Sequence, residues 1–140
     1  MKRTILVFGS FDMLHRGHRY FLERSREYGE RMRVVLARDE EIFQFKQRYP
    51  AQDFAQRKAA LLESGLADEV VRSDLEHGTF YVLRDRPAGI VLGDGQEALA
   101  MALEDFFRAH EAVRCPVFHV APHRRELHSS TRRHQLRLFL

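Results

Sequence analysis

At 140 residues, 44% of them hydrophobic and 31% charged, the chain is sized and composed for one soluble domain that buries its own core. A single cysteine, Cys115, excludes an internal disulfide and a cysteine-based metal cluster, and no apolar run reaches the ~20 residues of a membrane-spanning helix. The net charge of +3, carried mainly by arginine, suits anionic partners in general and does not choose among nucleotides, RNA and lipid.

Met1, Lys2 and Arg3 lead directly into a strand and not into a signal peptide, so the expected location is the cytoplasm. Residues 4–8 (TILVF) form a β-branched and aromatic run, which predicts a strand buried on both faces of a parallel sheet. The loop of Gly9, Ser10, Phe11 and Asp12 then delivers His15 and His18, with Gly17 between them, to a helix predicted over 17–28. Phe21, Leu22, Ser25 and Tyr28 share one face of that helix, and Gly29 stops it. Residues 32–37 predict a second strand, with Asp39 following its carboxyl end. Residues 40–50 mix Phe43, Phe45, Lys46, Arg48 and Tyr49 before Pro50, and read as a loop or a short irregular helix.

A helix is predicted over 53–64, with Phe54, Leu61 and Leu62 inward and Gly65 as its cap; a short third strand follows at 69–72. Residues 79–84 read as a further helix. Residues 90–92 form a fourth strand, with Gly93, Asp94, Gly95 and Gln96 as the tight turn after it. Residues 97–110 are helical, with Leu99, Leu103, Phe106 and Phe107 apolar, and 116–120 make a fifth strand. A basic loop at 123–128 leads to Ser129, Ser130 and Thr131 and a last helix over 132–139. Strands alternating with helices predict an α/β, Rossmann-like open parallel sheet of five strands with helices on both faces, in a single domain over 1–140.

The chemistry concentrates where strands end. A helix N-terminus presents unpaired N–H groups and the positive end of the macrodipole, so it attracts phosphate. His15 and His18 add donors that stabilise negative charge on a transferring phosphate. The plainer readings are two loop histidines, or a zinc pair that lacks nearby partners. Ser129, Ser130 and Thr131 repeat the arrangement at the last helix, where an ordinary N-cap is the alternative. Lys46 is either a point charge for phosphate or a solvated lysine. Asp12, Asp39 and Asp94 follow the first, second and fourth strands, which gathers them on one edge; for Asp12 and Asp39 the alternative is turn hydrogen bonding. Cys115 has no candidate base in its sequence context and reads as structural. Arg132, Arg133, His134 and Arg137 suit RNA or a solvated helix face, and the solvated face is preferred, so nucleic acid is an unexpected partner.

The run GSFDMLHRGH at 9–18 resembles the HxGH signature of the nucleotidyltransferase superfamily, which includes cytidylyltransferases, phosphopantetheine adenylyltransferase and archaeal FAD synthases. The likeness is greatest to the glycerol-3-phosphate cytidylyltransferase and archaeal FAD synthase types. It implies catalytic roles for His15, His18, Lys46 and Arg124, nucleotide binding by Gly9, Ser10, Phe11, Gly17, Asp94, Ser129, Ser130 and Thr131, and substrate binding by Asp12, Asp39 and Arg57. RRELHSST at 124–131 resembles the family's R-T-x-x-x-S-T-T pattern, with Arg125 in place of threonine and His128 in place of isoleucine. The family's E-x-R is here Ala55, Gln56 and Arg57, without the carboxylate, so helix surface is the alternative for Arg57. Asp94 matches the G-D-D-W of the glycerol type, whereas Gln96 matches the G-x-D-Q of archaeal FAD synthases.

The implied reaction transfers CMP from CTP to a glycerol-3-phosphate-like acceptor and releases pyrophosphate. Mg²⁺ is expected to travel with the nucleotide, without dedicated protein ligands, and relatives imply a homodimer. Adenylylation of FMN or another phosphorylated acceptor by ATP is the alternative that the Lys46 spacing and Gln96 favour. A non-catalytic nucleotide- or RNA-binding module is the alternative of another class.

Overall fold

The computed structural model describes residues 2–74 and 81–122. Its central element is β1 (Thr4–Gly9), whose Ile5, Leu6, Val7 and Phe8 are fully buried, as a continuous apolar run requires of a strand covered on both sides. β2 (Arg31–Leu36), β3 (Glu69–Arg72), β4 (Gly89–Leu92) and β5 (Val117–His119) join it in one all-parallel sheet of order β3-β2-β1-β4-β5. The chain therefore moves outward from β1 through β2 to β3, then returns to the other side of β1 at β4. Ligands of open α/β sheets bind in the crevice at the carboxyl ends of strands where the order reverses. Here that point lies between β1 and β4.

Alternate residues of each strand face opposite sides. On one side Leu6, Phe8, Val35, Ile90 and Leu92 pack with Ile42 of α2 (Asp39–Lys46) and with Leu99, Leu103 and Phe107 of α4 (Glu97–Ala109). On the other, Ile5, Val7, Val34 and Val91 pack with Phe21 and Leu22 of α1 (Arg16–Ser25) and Leu61 of α3 (Phe54–Glu63). Helices thus cover both faces, as predicted.

Four local expectations change. The first helix ends at Ser25, whose Oγ donates to the Phe21 carbonyl at 2.7 Å, and tightens into a 3₁₀ turn at Arg26–Tyr28. The mixed stretch at 40–50 contains a true helix, α2. Its Glu41 accepts from the Arg38 N–H at 2.9 Å, and Asp39, Glu40 and Glu41 complement the dipole of its first turn. Leu62 is 42% exposed where Leu61 is fully buried, because successive helix residues point about 100° apart. The helix expected over 79–84 is a 3₁₀ segment, Tyr81–Asp85. The final helix expected over 132–139 lies outside the described residues.

Candidate active site

The loop after β1 folds back on itself. A Cβ at Gly9 would sit 2.6 Å from the Phe11 ring, so only glycine lets the turn close. Phe11 and Met13 both take left-handed backbone (φ +46 and +51), which non-glycine residues hold only where their surroundings fix them. The buried Phe11 ring meets His18 edge-on at 5.3 Å and stacks on Phe21 at 6.4 Å. Phe11, expected at the nucleotide, is thus packed against His18 and Phe21.

His15 is the N-cap of α1, and its Nδ1 accepts from the N–H groups of Gly17 (3.1 Å) and His18 (3.4 Å). In return, His18 Nδ1 accepts from the His15 N–H at 3.3 Å, and the rings stack with centroids 3.6 Å apart. A ring nitrogen that accepts holds no proton, so each neutral imidazole bears its proton on Nε2, on the far side from the cap. The Gly17 and His18 backbone donors are taken up by His15, so the N–H groups that the two rings carry are at Nε2.

Arg57 overturns the helix-surface alternative. It is fully buried, and it donates from Nη2 to Asp39 Oδ1 (2.6 Å), from Nη1 to the Ser10 carbonyl (2.9 Å) and from Nε to the Gln52 carbonyl (3.0 Å). Asp39, at the end of β2, supplies the carboxylate that Ala55 does not. Arg57, expected at the substrate, is here cut off from solvent and holds Asp39 and the carbonyls of two loops. Asp12 is also a tether: Oδ2 accepts from the Ala51 N–H at 2.7 Å and Oδ1 from the Gln52 N–H at 2.9 Å. Gln52 Oε1 accepts from the Met13 N–H at 3.2 Å. Ser10, Asp12, Asp39 and Arg57 are thus brought into one hydrogen-bonded assembly behind the histidine loop, where both aspartates were expected at the substrate.

Across the reversal point, buried Gln96 donates from Nε2 to the Phe8 carbonyl and accepts at Oε1 from the Gly93 N–H, both at 2.9 Å. It pins the turn holding Asp94, which is half-buried, against β1. Lys46 closes α2, about 10 Å along the helix axis from Asp39. Arg124, Ser129, Ser130 and Thr131 lie outside the described residues. Sequence reasoning missed Glu41, which is fully buried and accepts from the Arg38 N–H, from Arg38 Nε (3.3 Å) and from Ser73 Oγ (3.2 Å). Its only signal was the acidic triplet after β2.

Two clefts flank the assembly. One, of about 360 Å³, runs between α1 and α3 past Met13, Leu14, Arg19, Gln52 and Glu63. The other, of about 200 Å³, lies at the ends of β2 and β3 between Arg38, Asp39, Glu40, Phe54 and Arg72. Among the described residues no group of three or more His, Cys, Asp or Glu side chains is placed to hold a metal ion, and no helix is long and apolar enough to cross a membrane. Burial pushes the Cys115 thiol up to about 11, which leaves it protonated and unreactive at neutral pH, in keeping with its structural reading.

A family model described as cytidylyltransferase-like matches residues 6–134. The FAD synthase of Thermococcus kodakarensis is 32% identical over 124 residues, which span 82% of this chain and 80% of that protein. The FAD synthase of Thermococcus sibiricus is 29% identical over 120 residues, 82% of this chain and 81% of that protein. The crystal structure of the lipopolysaccharide core biosynthesis protein from Thermoplasma volcanium shares the fold, with a TM-score of 0.78 at 23% identity, over 88% of this chain and 99% of that one.

Proposed function

The chain belongs to the cytidylyltransferase-like family and is a nucleotidyltransferase, and from that premise we propose that it transfers AMP from ATP to a phosphorylated acceptor of the FMN type, with release of pyrophosphate. The observation that supports this choice of substrates is the likeness to two FAD synthases over about four-fifths of the chain. Gln96 and the seven-residue spacing from Asp39 to Lys46 agree with it.

In this reading an oxygen of the acceptor's phosphate attacks the α-phosphorus of ATP as the bond to the β-phosphate oxygen breaks, and the departing electron pair leaves with pyrophosphate. No covalent enzyme intermediate is needed, because positioning and electrostatics supply the catalysis. The Nε2–H groups of His15 and His18 stabilise charge on the transferring phosphate and the oxygen that leaves it. Lys46 and Arg124 offset the charge of the triphosphate, and Ser129, Ser130 and Thr131 hold its β- and γ-phosphates. Asp12, Asp39, Arg57 and Gln96 keep the loops in register. Mg²⁺ enters with the nucleotide. The described side chains do not make a cage for it, since both oxygens of Asp12 and one of Asp39 are already engaged within the protein.

Cytidylyl transfer from CTP to a glycerol-3-phosphate-like acceptor is the second reading, favoured by Asp94 at the first aspartate of the glycerol-type motif. Pyrophosphate release, measured with ATP or CTP against FMN or glycerol-3-phosphate, tests both. Turnover is expected with ATP and FMN. Preference for CTP and glycerol-3-phosphate selects the second reading, and a blank panel rejects both.

A further inference from the structure

Two large aromatic side chains stand at the surface as a stacked pair. Phe43, on the outer face of α2, is 43% exposed, and Tyr49, three residues beyond the helix, is 63% exposed. Their ring centroids are 4.6 Å apart with 26° between planes. A second phenylalanine–tyrosine stack among the described residues, Tyr28 on Phe118, packs against the core. Nothing in the fold requires the Phe43–Tyr49 stack to face water.

Its position follows from the topology. α2 buries Ile42 on one face of the sheet and α3 buries Leu61 on the other. Residues 47–53 connect them, and Asp12 holds Ala51 and Gln52 at the carboxyl end of β1. The connection therefore crosses the sheet at the edge where the histidine loop lies. Tyr49 is two residues, about 7 Å of chain at most, from Ala51. Lys46 is one helical turn after Phe43 and Arg48 adjoins Tyr49, whereas Glu40 is one turn before Phe43, so charges of both signs flank the stack.

We propose that the Phe43–Tyr49 stack is the platform on which the planar ring system of the acceptor lies while its phosphate reaches the histidines. The proposal rests on the FMN-type acceptor argued above. Two features fit that ligand class: a π-face already ordered by stacking, and a position on the edge that holds the imidazole donors. A small aliphatic acceptor such as glycerol-3-phosphate has no ring to lay on such a surface.

Steady-state kinetics of the wild type, Phe43→Leu, Tyr49→Leu and Tyr49→Phe, with ATP and FMN each varied in turn, provide the test. Both leucine variants should raise KM for FMN, by roughly 5- to 150-fold, the span that loss of one ring stack covers. KM for ATP and the melting midpoint should stay at wild-type values, and Tyr49→Phe, which keeps the ring, should retain the wild-type KM for FMN. If the wild type turns over FMN and the leucine variants leave its KM unchanged, the platform is refuted and the reaction stands. If KM for ATP rises instead, the stack holds the adenine and the proposal is equally refuted. A wild type that does not adenylylate FMN removes the reaction and the platform together.

Discussion

Arg57 and Arg114 both meet carboxylates, yet they have opposite consequences for the molecule. Arg114, 38% exposed, binds Glu104 at 3.0 and 3.2 Å and Glu111 at 2.6 and 3.0 Å, fastening the end of α4 to the turn before β5. Its hydrogen bonds hold both glutamates below the usual carboxylate range. Water nevertheless competes for every one of these groups, and exposed pairs of this kind contribute little. Arg57 makes a single ion pair, but its own side chain is shut off from water while Asp39 stays 28% exposed, and its two other donors fix the backbone of two separate loops. Ion-pair chemistry alone does not rank these sites. Burial does, along with what else would be left unpaired.

The contrast is sharpest in Arg57→Ala, which strands Asp39 and two carbonyls. Unfolding in denaturant should show a loss of about 3–5 kcal/mol, with turnover lost as the histidine loop is released. Arg57→Lys should not restore it, because one ammonium cannot reproduce the guanidinium fork. A loss below about 1 kcal/mol, the size of an exposed pair, would erase the distinction between the two arginines.

His18→Ala probes the loop that Arg57 holds. Removing one preorganised donor should lower kcat roughly 10²- to 10³-fold, with only a modest fall in nucleotide affinity. The fold should lose about 1 kcal/mol, the worth of a helix cap. A near-normal rate would remove the histidine pair from the chemistry.

Arg26 and Asp68 occupy the middle ground, each about one-third exposed and 3.2 Å apart. Burial works against the Asp68 charge, but the Met32 N–H, at 2.7 Å, and the Arg26 guanidinium outweigh it and hold the carboxyl below its ordinary 3.8. With the folded value depressed, its stabilisation is present above pH 3.8 and disappears as the pH falls through that lower value. Melting temperature against pH should therefore drop more steeply in acid for the wild type than for Asp68→Asn. Parallel curves would count against the link. The smallest effect belongs to Arg114→Ala, whose melting temperature should fall slightly below that of the wild type at low salt and converge with it at high salt.

These differences also mark what the sequence could disclose. All five strands were legible within two residues at either end: β1 and β4 as uninterrupted buried runs, and β2, β3 and β5 as short β-branched stretches between polar residues. The histidine pair was legible because its cap is closed within four residues. Arg57 was not. The family pattern pointed to a partner two residues away, whereas the actual partners are 5, 18 and 47 residues distant. Gln96 reaches across 88 residues to Phe8, a separation that no local pattern encodes. α2 was read only as a loop or a short irregular helix because its exposed Phe43 blurred the period that Ile42 and its acidic first turn define.

In α1, each imidazole completes the other's half of the cap, so the start of the helix and the orientation of both rings form one structural unit. An imidazolium at either position would surrender the acceptor on which the first turn hangs. Protonating one ring therefore unfastens the other, and the two histidines answer to acid as a couple.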